Sequence, residues 1–193
     1  MGVHGAGTGI IMTQSHNTLH TEDPADAGPL TPIRQPHQDL RLYFDDLSEG
    51  QVYTSLGRTI TESDIVNFAG LSGDFNPIHM DHEFAAKTPF RRPIAHGLLV
   101  VAIGSGLTSQ SPPLRVQAFL GIQELKFLEP VFVGDTIRVL CTVLSKEPTG
   151  RGRRGIVAWL REVYNQHGKK VQEGVTKVLV EGRGHRAKND PAT

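Results

Sequence analysis

The run Leu98-Leu99-Val100-Val101-Ala102-Ile103 constrains this chain more than any other segment. It follows His96-Gly97, a pair suited to opening a helix, and the predicted helix extends to about Thr108. At 3.6 residues per turn, six consecutive apolar residues leave no polar face. Such a helix in a soluble chain has to be surrounded by protein, and the run is far too short to span a bilayer. A broad apolar partner must therefore be built from the rest of the sequence.

The segments after the helix are strand-like. Val116 to Phe127 alternates and changes phase at Gln123-Glu124, as a bulge or bend would. Ile137, Val139, Cys141 and Val143 share one face of the next strand, and Ile156, Ala158 and Leu160 are expected to line a face of a third. His167-Gly168 makes a tight connection into Val171 to Val180. Upstream, Val52 to Ile60 reads as a first strand interrupted at Gly57. Thr61 can then cap a helix with Asp64 at its third position, a capping-box arrangement. Ile65, Phe68 and Ala69 give that helix a buried stripe, Gly70 and Gly73 end it, and a short helix follows near His82 to Lys87. These periodicities define an α+β fold with a sheet packed on a buried helix.

The ends differ in composition. Residues 1–38 are rich in Gly, Thr, His and Pro without an apolar period, so they are expected to form a disordered leader. The domain is expected to span 39–182, with a polar tail over 183–193. Scattered His4, His16, His20 and His37 fit a solvated leader better than a metal site. With 20 basic and 20 acidic residues, no global charge draws the chain to nucleic acid or a membrane. The single cysteine, Cys141, excludes an internal disulfide framework and reads as a buried structural thiol. No signal-peptide pattern is visible, so a soluble cytoplasmic protein is expected.

The chemistry concentrates in Phe68-Ala69-Gly70-Leu71-Ser72-Gly73-Asp74-Phe75-Asn76-Pro77-Ile78-His79. Asn76-Pro77 interrupts any helix from Asp74 to His79, because proline fixes its own φ and pushes its predecessor out of the α region. A carboxylate and an imidazole can then converge on one volume, hold a water and move protons. The same residues could also form a purely structural turn, with Asp74 bonding backbone amides and His79 packed on the core. A metal set drawn from Asp74, His79, Asp81, His82 and His96 is the competing chemistry. Yet His79 and His82 lack the i, i+4 spacing of a helical zinc motif and no cysteine joins them, so no metal is expected.

This stretch resembles the signature of the MaoC-like, (R)-specific enoyl-CoA hydratases. Phe68, Leu71, Ser72, Gly73, Asp74, Asn76, Pro77, Ile78, His79 and Ala85 fall at its spacing. The resemblance covers roughly Tyr43 to Glu181 and implies a single hot-dog domain, an antiparallel sheet wrapped around a central apolar helix. It implies reversible hydration of a 2-enoyl thioester to the (R)-3-hydroxyacyl thioester, with Asp74 and His79 as the catalytic pair. Gly97 would polarise the thioester carbonyl through its N–H at a helix start, where backbone donors lack partners. Ser105 would orient the catalytic group, Asn76 would shape the loop, and His96 is assigned no chemistry. Arg91 and Arg92, or the hairpin Arg151 to Arg154, could bind coenzyme A phosphates. The expected substrate is an acyl-CoA or acyl-carrier-protein thioester, no cofactor is needed, and a homodimer is the expected minimum. A hot-dog thioesterase and a non-catalytic acyl-thioester-binding subunit are the alternatives. Acyl chain length and physiological direction stay open.

Overall fold

The computed structural model describes residues 40–184, so the calls on the leader 1–38 and on the tail beyond 184 lie outside the described residues. Short β1 (Val52–Thr54) and β2 (Arg58–Thr59) precede four helices: α1 (Glu62–Ser72), α2 (Pro77–Met80), α3 (His82–Ala86) and α4 (Gly97–Thr108). Four long strands follow, β3 (Val116–Phe127), β4 (Thr136–Thr149), β5 (Arg154–Tyr164) and β6 (Lys170–Glu181). They form one antiparallel sheet in the order β1-β4-β5-β6-β3, with β2 also on β4. This is the hot-dog arrangement: α4 packs on one face of a long-stranded sheet, and α1 to α3 form an insertion ahead of it.

Local chemistry explains the boundaries. Ser55 interrupts the first strand because its hydroxyl accepts the Val139 N–H at 2.9 Å, standing in for a backbone carbonyl. The single strand expected over Val52 to Ile60 is therefore two. Thr61 and Asp64 make the reciprocal capping box at the start of α1. Gly73, at φ 78°, ends α1 in the left-handed conformation; Gly70 stays inside the helix. The phase change in β3 is a bulge, with Glu124 at φ 51° and a register shift between Gln123 and Lys126.

The core lies between α4 and the inner face of the sheet. Leu99 and Val100 pack with Ile137, Val139, Cys141, Val143, Val157, Trp159 and Val171. Burial pushes the Cys141 thiol up to about 11, which makes it an inert apolar filler. Two expectations need correction. On β5 the core-facing set is Val157, Trp159 and Val163, not Ile156, Ala158 and Leu160. Arg161 shares the inner face and breaks the apolar period there, while the outer set happens to be apolar throughout. Among the described residues, moreover, only one side of α4 is covered. Leu98 is 61% exposed, and Ala102 and Ser105 are exposed with it.

Arg183, the first residue of the expected tail, is tied back to the domain: its amide donates to Asp45 and its guanidinium to Asp46. Among the described residues, no helix is long and apolar enough to cross a membrane.

Candidate active site

The site is assembled by three successive turns of backbone logic. Past the left-handed Gly73, the Asp74 amide donates to Ser72 Oγ, and Ser72 Oγ–H donates to the Phe68 carbonyl. Asp74 Oδ1 then accepts the Asn76 N–H at 3.3 Å. Asn76 in turn caps α2 by accepting the Ile78 N–H, with Pro77 at the first helical position, where its missing N–H costs nothing. His79 thus rides on a one-turn helix rather than on an irregular loop. Asp74 Oδ2 is left facing its ring, with His79 Nε2 4.0 Å away.

Carbonyl acceptors set both histidine tautomers. His79 Nδ1 lies 2.8 Å from the Ile94 carbonyl, so Nδ1 carries a proton and Nε2 is the nitrogen turned toward Asp74. His96 Nε2 lies 2.9 Å from the Asp74 carbonyl and therefore donates to it. The two rings stack at 3.8 Å between centroids, and the Phe68 ring lies tilted against His96 at 5.1 Å. His96 is fully buried, His79 nearly so, and the Asp74 side chain is half-exposed.

Asp74, His79 and His96 offer ligand atoms within 4.8 Å of one another, the spacing of a metal set. The tautomers do not suit it: His96 Nε2, the atom nearest Asp74 Oδ2, holds a proton and has no lone pair to give. Asp81 and His82 are elsewhere engaged, Asp81 capping α3 through the Phe84 N–H and His82 beside Glu62.

His79 opens onto a cleft of about 410 Å³ lined by Gly97, Leu98, Val100, Phe127, Val131 and Gln172, among others. Gly97 is the first residue of α4, so its N–H has no helical partner. The Phe127 ring lies over it: a Cβ built at Gly97 would meet Phe127 Cε1 at 2.6 Å. The site is a carboxylate–imidazole pair beside an apolar slot, with an amide that lacks a helical partner at its wall.

The remaining expected residues are dispersed. Ser105 does not join the pair; it lines a second depression, together with Gly104, Arg161, Gln172 and Thr176. Phe90 lines the cleft, but Arg91 and Arg92, next in the same loop, do not. Arg91 is held at φ 65°, and the Arg92 guanidinium lies 4.1 Å over the Phe132 ring. Sequence reasoning assigned His96 no chemistry and did not single out Phe127. The signal for His96 was its place at the mouth of an apolar helix, since a buried imidazole there must find polar partners.

The profile of the MaoC like domain family matches residues 45–163. The (R)-specific enoyl-CoA hydratase of Rhodospirillum rubrum is 40% identical over 147 residues, 76% of this chain and 97% of that protein. The 3-hydroxybutyryl-CoA dehydratase of Methylorubrum extorquens is 39% identical over 113 residues, 58% of this chain and 71% of that one. Among solved structures, the MaoC-like dehydratase from Rhodospirillum rubrum superposes with a TM-score of 0.65 at 33% identity, covering 74% of this chain and 98% of that chain. This chain belongs to the MaoC-like family.

Proposed function

We propose that this protein is a hydro-lyase that adds water to a 2-enoyl thioester, or removes it from the (R)-3-hydroxyacyl thioester. The observation that carries the reading is the 4.0 Å separation of Asp74 Oδ2 and His79 Nε2 beside the cleft that Gly97 walls. That gap is too long for a direct hydrogen bond and suits two groups gripping one water. The names of the Rhodospirillum and Methylorubrum relatives support the same chemistry.

In the hydration direction, the water oxygen bonds to the β-carbon while the pair takes one of its protons. A proton from the same pair goes to the α-carbon, so H and OH enter from one face. Negative charge that builds on the thioester oxygen is met by the Gly97 N–H at the positive end of α4. Asn76 holds the loop, and Arg91 and Arg92 follow the cleft-lining Phe90, where they can meet the phosphates of coenzyme A. The reaction requires neither cofactor nor metal ion.

The uncovered side of α4 and the exposed apolar residues Phe119, Leu120 and Ile122 of β3 support a homodimer that buries both. The thioester substrate, CoA-bound or carrier-bound, suits a cytoplasmic enzyme. Incubation with crotonyl-CoA tests the reading: loss of the conjugated-thioester absorbance should accompany formation of the (R)-3-hydroxy product. Hydrolysis to free coenzyme A with the double bond intact would instead make the protein a thioesterase.

A further inference from the structure

The inner face of β5 carries Val157, Trp159 and Val163 into the core, and with them one charged residue, Arg161. Its cross-strand neighbours are Cys141 on β4 and Gly174 on β6. Gly174 has no side chain, and Leu125 of β3 closes over it, where a Cβ would meet Leu125 Cα at 3.3 Å. Gln172 and Thr176 flank Gly174 on the same face of β6 and stand opposite Val163 and Trp159. The three polar side chains surround the second depression, between the sheet and the Val101–Ser105 turn of α4.

None of the three is satisfied. Arg161 Nε, Gln172 Oε1 and Thr176 Oγ1 are buried and have no hydrogen-bond partner among the described residues, and Gln172 and Thr176 are 4% and 5% exposed. Arg161 forms no ion pair among the described residues. Glu173 is the acid at the depression, and its carboxylate is taken by Lys126 and Lys170. Burial pushes the Arg161 guanidinium below its usual value, with no carboxylate to oppose it. Buried polar groups are nearly always paired, so an unpaired guanidinium N–H, hydroxyl and amide oxygen gathered at one depression mark a missing partner.

The depression adjoins the acyl cleft. Gln172 lines both, and Val100 of the cleft is followed on α4 by Val101 of the depression. We propose that the acyl cleft runs past Gln172 to a polar end formed by Arg161, Gln172 and Thr176, which accepts an enoyl thioester bearing a terminal carboxylate. This rests on the hydratase reading above and names its substrate class. A carboxylate takes two parallel N–H bonds from a guanidinium, accepts a third from the Thr176 hydroxyl, and meets the amide NH₂ of Gln172 once that group rotates. From Gly97 to the Gly104–Ser105 turn is about 11 Å along the helix, at 1.5 Å per residue. The carboxylate therefore lies several bonds beyond the double bond, at the far end of the acyl chain.

The test compares trans-oct-2-enoyl-CoA and trans-dec-2-enoyl-CoA with their ω-carboxylate counterparts, using the wild type, Arg161→Met and Thr176→Val, with thermal unfolding run in parallel. The expected wild-type kcat/KM favours the ω-carboxylates by roughly tenfold to a hundredfold, the worth of one charged hydrogen bond. Arg161→Met should abolish that ratio, mainly through KM, and Thr176→Val should reduce it severalfold without unfolding the protein. A wild type without preference overturns the proposal, as does an Arg161→Met variant that is well folded and loses both substrates alike. A wild type that hydrates neither series overturns the hydratase reading and this inference with it.

Discussion

His79 and His96 stack face to face, 3.8 Å between centroids and tilted by 27°, and each donates one proton to a backbone carbonyl. The stack makes His96 a positioning residue for both members of the pair: it braces the His79 ring and ties down the Asp74 carbonyl. His96→Phe keeps the stacking surface and loses the N–H, whereas His96→Ala loses both. The expected order of kcat is wild type, then Phe, then Ala, with KM little changed. Equal kcat in the two variants would show that ring stacking contributes nothing.

Asp74→Asn and His79→Ala should each lower hydration at least about a hundredfold, since acid–base groups contribute roughly 10² to 10⁴ in rate. Asp74 is half-exposed and its Oδ1 contact to Asn76 can be kept by asparagine, so stability should hold. Near-normal turnover in either folded variant removes the pair from the chemistry.

Gly97→Ala sets two effects against each other. Helix propensity favours alanine by roughly 0.5–1 kcal/mol, but the new Cβ would press on Phe127, whose ring must swing aside. Turnover should fall. The decisive measurement repeats the substitution in a Phe127→Ala background, where the clash is gone. If the N–H holds the thioester oxygen, Gly97→Ala still costs activity there. Full activity in the double variant, relative to Phe127→Ala alone, would make the effect steric.

Chelation should leave turnover unchanged, because His96 Nε2 is committed as a donor to Asp74 and cannot complete a ligand set. Activity lost to a chelator and restored by zinc would reverse that tautomer.

Asp64 gives the fold a pH signature. Burial alone would raise its pKa; the Thr61 amide and hydroxyl and the Arg58 guanidinium outweigh burial and hold it below the usual value. A carboxylate depressed in the folded state stabilises above its unfolded pKa and loses that contribution as pH falls through the folded one. Asp64→Asn should thus destabilise by on the order of 1 kcal/mol at neutral pH, as broken caps do. The gap should close in urea titrations toward about pH 3. A gap independent of pH would assign the effect to cap geometry alone.

Much of this was legible in the chain. The Thr61/Asp64 cap, the Glu124 bulge and the span of α4 follow from local rules that tertiary packing did not override. Asp74 and His79 were legible as a pair because Asn76-Pro77 is a strong stop, but the one-turn helix under His79 is too short to leave a period. The inner face of β5 was hidden by Arg161, whose charge mimics the solvent side. The uncovered flank of α4 was hidden too: an all-apolar helix demands covering but does not say how much comes from its own chain. His96 contacts residues far away in sequence, and such contacts leave no spacing to read.

Every group assigned to proton transfer or carbonyl polarisation lies between Asp74 and Gly97, in the insertion that separates the short strands from the long ones. The opposite wall of the slot, with Phe127, Val131, Val171 and Gln172, belongs to the sheet or to the turn leading into it. The groups proposed for the reaction and this sheet-borne wall of the slot thus come from separate stretches of the gene. Drift in β5 or β6 can retune which acyl group is admitted while the reactive cassette is inherited intact, so two homologues with identical loops need not share a metabolite.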